Sequence, residues 1–276
     1  MIPEVPFGDW VRDWVVDPLR GNPVFDAFRS IVSNMIDGLE WVLFLPPSLV
    51  MIAIVGLLAL WLRGYQFAIF TVIAFALVDS VGMWDPAMQT IAMVLVATLI
   101  ALMIGIPVGI ASSRNDVVWT VVRPVLDFMQ TLPAFVYLIP AIVFFGLGTV
   151  PGAIATLVFS MPPAVRLTNL GIRGVDAEIV EAAHAFGAKE RQVLFGIQIP
   201  LAMPTIMAGV NQVIMLALSM VVIAGMAGAG GLGTEVFRAV QRVNIPLGVE
   251  SGVSVVLVAI FLDRITEAIG KRAETN

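Results

Sequence analysis

The chain has 276 residues, 59% of them hydrophobic and only 13% charged, whereas about 25% of the residues of an average soluble domain are charged. This composition excludes an ordinary soluble domain and predicts an all-α integral membrane protein. Cysteine is absent, which excludes disulfides, thiol catalysis and cysteine metal sites, and the net charge of −5 argues against a nucleic-acid partner.

Residues 1–40 are predicted to form an extracytoplasmic N-terminal segment. They contain seven acidic residues and three arginines, and they lack the basic start and compact apolar core of a cleavable signal peptide. The apolar residues Phe25, Phe28, Val32, Met35 and Leu39 recur at helical spacing. They predict an amphipathic helix on the outer leaflet, better explained as a topology element than as a docking site for an external protein.

Residues 41–276 are predicted to form one transmembrane domain, because a spanning helix needs about 20 apolar residues. About seven spans are expected, at 41–62, 65–83, 87–111, 124–147, 150–170, 204–227 and 246–264. Pro46 and Pro47 predict a broken start of the first span. Tryptophans at the predicted ends of spans are typical of interface anchors; they are Trp41, Trp61, Trp84 and Trp119.

The third span carries a small residue at every fourth position, namely Ala97, Ala101, Gly105 and Gly109. Such a row predicts close approach to a neighbouring helix in lipid. Prolines interrupt this span and later ones: Pro107, Pro133, Pro140, Pro162 and Pro163. Broken backbone of this kind is compatible with a transport path and equally with kinks in a packed bundle.

The polar stretch 171–203 separates two predicted spans. Asp176 is a suitable N-cap for a helix that begins at Ala177, and Gly187 is placed where a left-handed C-cap is expected. Ile179, Ala183 and Phe186 give that helix an apolar face. A second short helix is predicted at about 188–195, ending at Gly196.

The same stretch reads Glu181-Ala182-Ala183, three residues, Gly187, nine residues, then Ile197-x-Ile199-Pro200. This spacing resembles the cytoplasmic coupling loop of bacterial ABC importer permeases, with Ile199 in place of the usual leucine. The resemblance implies that a separate ATPase docks here. The candidate docking residues are Glu181, Ala182, Ala183, Gly187, Ile197 and Pro200. A plain amphipathic hairpin at the membrane surface is the alternative.

Basic residues in the loops predict the orientation in the membrane. If the Glu181 loop is cytoplasmic, ten Lys and Arg residues lie inside or at the inner interface and five lie outside. The N-terminus is therefore expected outside and the C-terminus inside a multi-pass bacterial or archaeal inner membrane.

Several kinds of chemistry are not indicated. The glycine-rich run 228–233 lacks a preceding strand and a following Gly-Lys-Ser/Thr, so it predicts a flexible or tightly turned external loop instead of a phosphate site. His184 is the only histidine, and Asp127 is expected to pair locally with Arg123. Carboxylates deep in the spans are scarce, which argues against an ion-coupled secondary transporter.

Residues from about 84 to 267 are also similar to the glycine betaine/proline branch of ABC importer permeases. The stretches that carry this are 123–140, 162–173 and 204–220, and the acidic N-terminus is similar too. The resemblance implies a type I ABC importer fold and import of an osmoprotectant. It also implies a permease homodimer, two ATPase subunits that hold ATP and Mg²⁺, and an external substrate-binding protein, with no cofactor in this chain.

Phe135, Tyr137 and Pro140 are the candidate residues of the substrate path. Aromatic rings can hold a quaternary ammonium by cation–π contacts, and both aromatics lie in a proline-interrupted span. Side chains two positions apart diverge on a helix, so selectivity is expected to reside in the external protein. A permease for another small solute, such as an amino acid, is the alternative function within the same class.

Overall fold

A computed structural model describes residue 13 and residues 21–275, except for the side chains of residues 271–275. The part so described is helical, without strands. Its α-helices are α1 Pro23–Phe44, α2 Ser48–Arg63, α3 Tyr65–Ser80, α4 Trp84–Arg114, α5 Asp116–Thr131, α6 Ala134–Phe145, α7 Thr149–Ser160, α8 Pro162–Arg173, α9 Ala177–Ala185, α10 Glu190–Val193, α11 Ile199–Ser219, α12 Val221–Met226, α13 Gly231–Arg242 and α14 Ile245–Thr275. A π-helix, Leu194–Gln198, joins α10 to α11.

Four helical segments within the described residues are long and apolar enough to cross a membrane: Trp84–Arg114, Thr149–Arg173, Glu190–Met226 and Ile245–Gly270. Two bent pairs, α1 with α2 and α5 with α6, raise the number to six if each pair forms one span. The predicted count of seven is not confirmed, because α3 has only 16 residues where a span needs about 20.

The close approach predicted from the row of small residues on α4 is confirmed at its two glycines, which pack against α8. A Cβ added at Gly105 would lie 2.7 Å from the Ala164 Cβ, and one added at Gly109 would lie 2.6 Å from the Thr168 Cβ. On the other side of α8, a Cβ at Gly209 of α11 would lie 3.1 Å from the Leu167 Cβ. Helices α4, α8 and α11 therefore form a tightly packed layer, which depends on backbone approach that larger residues would prevent.

The predicted amphipathic N-terminal helix is present as α1, which Asn22 caps by accepting the Val24 N–H at 2.9 Å. Its predicted apolar face packs against the protein's own helices: Ile36 is buried and the Phe25 ring stacks on Phe144 at 4.8 Å. The helix continues without a break to Phe44, so a boundary at residue 40 stays a prediction.

The chain breaks where Pro46 and Pro47 predict it. Helices α1 and α2 meet there at 99°. Proline removes a helical donor, and its ring clashes with the carbonyl one turn earlier, so two prolines in succession end α1 and start α2 in a new direction.

The glycine-rich run is a tight turn. Gly228, Gly230 and Gly231 have φ values of 78°, 78° and 67°. The first amides of α13 are already occupied, because Gly231 N–H donates to the Gln89 side chain at 2.9 Å and Leu232 N–H to the Thr90 hydroxyl at 2.8 Å. The segment is thus fastened to α4, and these amides do not form a phosphate cradle.

Candidate functional site

Helix α9 begins as the sequence predicts. The Asp176 carboxylate accepts the Glu178 N–H at 2.9 Å, which satisfies one of the free donors of the first turn. Glu178 places a negative charge in the same turn, at the positive end of the helix dipole, and this stabilises the helix. Only residues 174–176 separate α9 from α8, so the orientation of α9 is set by a transmembrane segment.

The end of α9 is also as predicted. Gly187 has a φ of 84°, its N–H donates to the His184 carbonyl at 2.9 Å, and the Ala188 N–H donates to the Ala183 carbonyl at 3.0 Å. This pair of bonds is the Schellman motif, which needs a left-handed residue after the helix. Nothing lies within 4 Å of a Cβ added at Gly187, so glycine is required here for its backbone conformation and not for space.

No residue of α9 is buried against the rest of the chain. Glu181 and Ala182 are exposed and Ala183 is half-buried. Ile179 is 44% exposed, and Phe186, which follows the helix, is 93% exposed. Two exposed apolar side chains thus lie beside small residues, and this surface permits the close approach of another molecule.

The second short helix does not end at Gly196, and that prediction is wrong. Helix α10 passes into the π-helix and then directly into α11. Pro200 has no N–H, and its ring would crowd the Gly196 carbonyl in a regular α-helix. In the wider turn the Ile199 N–H donates to the Leu194 carbonyl instead, and the helical path continues.

The candidate residues Ile197 and Pro200 lie apart from the exposed surface of α9. Ile197 is a half-buried member of the π-helix, and Pro200 is the second residue of α11. Next to them, Leu194 is buried in an apolar cluster with Ile172 and Ile206. The motif therefore comprises an open part, residues 181–187, and an anchored part, residues 193–200.

Ion pairs connect the coupling segment, residues 176–200, to the ends of the spans. Glu190 pairs with Arg114 of α4 at 2.7 Å and lies 3.6 Å from the His184 ring. Behind α9 lies an open polar cleft of about 510 Å³, whose lining includes Glu181, Glu190 and Arg114. Sequence reasoning missed the roles of Glu190 and Arg114, because the two residues are 76 positions apart and no local pattern links them.

The candidate path residues all lie on α6, directly after a 99° break from α5. Phe135 is 52% exposed and Pro140 is also exposed. Tyr137 is half-buried, and its hydroxyl donates to the Met129 carbonyl and, at 3.2 Å, to the Phe128 carbonyl. The rings of Phe135 and Tyr137 do not stack, and they form no cage on one chain.

The expected local pair of Arg123 with Asp127 is wrong. The Asp127 carboxylate instead accepts from Arg166 of α8 at 2.5 Å, and the same guanidinium donates to the Gln130 side chain at 2.7 Å. Tertiary packing places α8 closer to this carboxylate than the neighbouring turn of its own helix. Among the described residues, no group of three or more His, Asp or Glu side chains could hold a metal ion.

Comparison with known proteins identifies the family to which this chain belongs. Residues 101–275 match the family of binding-protein-dependent transport system inner membrane components. The glycine betaine transport system permease protein OpuAB of Bacillus subtilis is 46% identical over 97% of this chain and 95% of its own length. GbuB of Listeria monocytogenes, a glycine betaine/carnitine transport permease protein, is 46% identical over 100% and 99%.

ProW of Escherichia coli, a glycine betaine/proline betaine transport system permease protein, is 46% identical over 99% of this chain and 77% of its own. Among solved structures, an inward-facing MetNI methionine ABC transporter aligns with a TM-score of 0.63 at 19% identity, over 69% of this chain and 95% of that one. At this low identity, the similarity to the solved structure shows only the fold, which is that of a type I ABC importer permease.

The chain belongs to the family of binding-protein-dependent transport system inner membrane components. It is a multi-pass permease subunit of an ABC transporter and not an enzyme.

Proposed function

We propose that this chain is the permease of an ATP-driven importer for glycine betaine or a closely related quaternary ammonium osmoprotectant. Relatives that are 46% identical over nearly the whole chain are named for glycine betaine transport. Because identity this high extends over nearly the whole chain, we expect this chain to carry the same kind of solute.

The observation that carries the proposal is the open surface of α9. A separate ATPase, which holds ATP and Mg²⁺, docks on it: Ala182 and Ala183 allow close approach, Phe186 fills an apolar pocket of the partner, and Glu181 meets a polar group. Docking covers a side chain that is now 93% exposed. Because α9 follows α8 after three residues and Glu190 is paired with Arg114, movement of the ATPase reaches two spans directly. The result is alternating access.

The assembly that we propose has two copies of this chain as a homodimer, two ATPase subunits and an external substrate-binding protein. The family description, a binding-protein-dependent system, supports the external partner. The broken span supports a route for substrate in this chain, with Phe135, Tyr137 and Pro140 beside it. Selectivity comes from the external protein, since Phe135 is exposed and the Tyr137 hydroxyl is bonded to its own chain, so the two side chains form no cage.

For orientation we propose an outer N-terminus and a cytoplasmic C-terminus, as the distribution of Lys and Arg favours. Since the chain has no native cysteine, single cysteines at Ser30 and Thr275 can be labelled separately. Intact cells should react with an impermeant maleimide at position 30 and not at position 275. The reverse pattern would overturn both the orientation and the docking of a cytoplasmic ATPase on α9.

The function is tested by reconstitution. The chain, its ATPase and its binding protein are placed in lipid vesicles, and uptake of labelled glycine betaine is measured with ATP inside and no ion gradient. We expect ATP-dependent uptake that unlabelled glycine betaine suppresses. Uptake suppressed instead by an amino acid would favour the other-solute permease, and uptake that needs an ion gradient and no ATP would favour the secondary transporter.

A further experiment addresses the selectivity. Calorimetric titration of the purified permease with glycine betaine, without the binding protein, should detect only weak binding. Micromolar affinity that disappears in Tyr137→Ala would instead show a specific site within the membrane domain.

A further inference from the structure

Helix α5 is clamped to α8 by two arginines. Arg166 and Arg173 are seven residues apart on α8, so they project from the same side of the helix after two turns. Arg173 pairs with Asp116 at the start of α5 at 2.7 Å, and Arg166 pairs with Asp127 near its end at 2.5 Å. The two helices are therefore antiparallel and held together at both ends.

Arg166 has the geometry of a structural fork. One guanidinium nitrogen donates to Asp127 and another donates to Gln130 at 2.7 Å, so the side chain grips two positions of α5. Arg166 lies within the apolar segment Thr149–Arg173, and its side chain is 35% exposed. A charged residue in such a segment is costly and points to a function, and a planar fork with two donors is a property of arginine that lysine lacks.

The residues gripped by Arg166 adjoin the break in the α5–α6 span. Helix α5 ends at Thr131, and Pro133 caps α6 after a 99° change of direction. Pro133 has no N–H for the Met129 carbonyl one turn earlier, and the Tyr137 hydroxyl supplies the missing donor. Arg166 thus holds the last turns of α5 immediately before the bend, and the hydrogen bond from Tyr137 to the Met129 carbonyl spans the bend itself.

The other end of α8 leads into the docking surface. Arg173 ends α8, and α9 begins at Ala177. We therefore expect a displacement of α9 to move α8 as a rigid helix, because α8 packs so closely against glycines of α4 and α11 that it has no space to bend. Asp127 and Gln130, in the turns of α5 next to the break, accept the hydrogen bonds by which Arg166 joins α8 to α5.

We propose that Arg166 is a positioning residue that transmits movement of α9 and α8 to the broken span α5–α6, through Asp127 and Gln130. The proposal rests on the proposed function, because it presupposes that an ATPase displaces α9. Without the fork, the ATPase still docks and still hydrolyses ATP, while the broken span no longer follows each cycle.

The test is the ratio of glycine betaine imported to ATP hydrolysed, measured in vesicles with the complete transporter. We expect Arg166→Gln and Asp127→Asn each to lower this ratio about tenfold, within the roughly 2- to 30-fold range of mutations along a coupling route. The matched control is Arg123→Gln on α5, the basic residue one turn before Asp127 that does not pair with it; this variant should keep the wild-type ratio.

A wild-type ratio in either Arg166→Gln or Asp127→Asn overturns the proposal. This includes the case in which transport and hydrolysis fall in the same proportion, which would mean only that less protein is assembled. Failure of the proposed function is distinguishable, because the wild-type transporter would then show no ATP-dependent uptake.

Discussion

Two regions of this molecule use glycine and alanine for opposite purposes. In the packed layer of α4, α8 and α11, a Cβ added at Gly109 would lie 2.6 Å from the Thr168 Cβ and 2.8 Å from the Val165 carbonyl oxygen. In the coupling segment, a Cβ added at Gly187 would meet nothing within 4 Å, and no residue of α9 is buried. In the first region other helices of the chain occupy the space beside the small residues. In the second region that space is empty.

The difference distinguishes a rigid unit, the packed layer, from a surface that a partner can cover, helix α9. The packed layer cannot deform locally without steric overlap, so it moves as a unit. No residue of the open helix is buried, so a partner can cover it without displacing a packed core contact. A substitution in the first region should therefore affect stability, and one in the second should affect transport while the fold remains intact.

The largest effect is expected on α9. Ala183→Trp should abolish substrate-stimulated ATP hydrolysis in reconstituted vesicles, because the indole prevents close approach of the ATPase. Gly187→Pro should do the same, because proline cannot adopt the φ of 84° and lacks the N–H that binds the His184 carbonyl. Both variants should insert and melt like the wild type. Normal stimulated hydrolysis in either variant would contradict the docking surface.

A smaller effect, on stability, is expected in the packed layer. Gly109→Ala should lower the free energy of unfolding in detergent by about 1–3 kcal/mol, the usual cost of overpacking. The control is Gly252→Ala on α14, where nothing lies within 4 Å of the added Cβ. That variant should be neutral or more stable by up to about 1 kcal/mol, since alanine is the better helix former. Equal stability of the two variants would refute the packing argument.

Removal of a single hydroxyl should have a lesser effect. Tyr137→Phe leaves the Met129 carbonyl without its donor at the α5–α6 break, which should cost about 1 kcal/mol. The other tyrosine, Tyr65, is 67% exposed, so Tyr65→Phe should change stability by no more than about 0.5 kcal/mol. Thermal unfolding of both variants gives the comparison; an unchanged melting temperature for Tyr137→Phe would show that the hydroxyl does not support the break.

The smallest and most local effect concerns the cap of α9. Asp176→Ala should weaken this helix by about 0.5–1 kcal/mol without changing global unfolding. Amide hydrogen exchange should become faster across the first turn of α9, whereas Glu181→Ala in the same helix should leave it unchanged. Equal exchange in both variants would mean that Asp176 does not hold the helix start.

These features differ in how far the sequence reveals them. The Asp176 cap, the left-handed Gly187, the break at Pro46 and Pro47 and the row of small residues on α4 are local patterns, and each is confirmed. A local pattern is visible because each of its parts lies within about one helical turn of the next.

The features that sequence reasoning missed join residues that are distant in the chain or depend on local competition. Arg166 is 39 positions from Asp127, and no periodicity favours it over the nearby Arg123. The π-helix before Pro200 arises because a helix can widen by one residue instead of ending at a proline, and composition does not distinguish the two outcomes. The count of seven spans is not confirmed for a related reason: the apolar stretch 65–83 predicts a span, but its helix α3 has only 16 residues, and composition does not show where the helix ends.

The central claim, that α9 is the docking surface of a separate ATPase, is tested most directly by cysteine labelling of the purified chain with and without that ATPase. Phe186→Cys reports on the coupling segment, and Val240→Cys, at a position that is 70% exposed on α13, serves as the control. Binding of the ATPase should sharply slow maleimide labelling at position 186 and leave position 240 unchanged. Equal labelling of position 186 in the free chain and in the assembled complex would contradict the account.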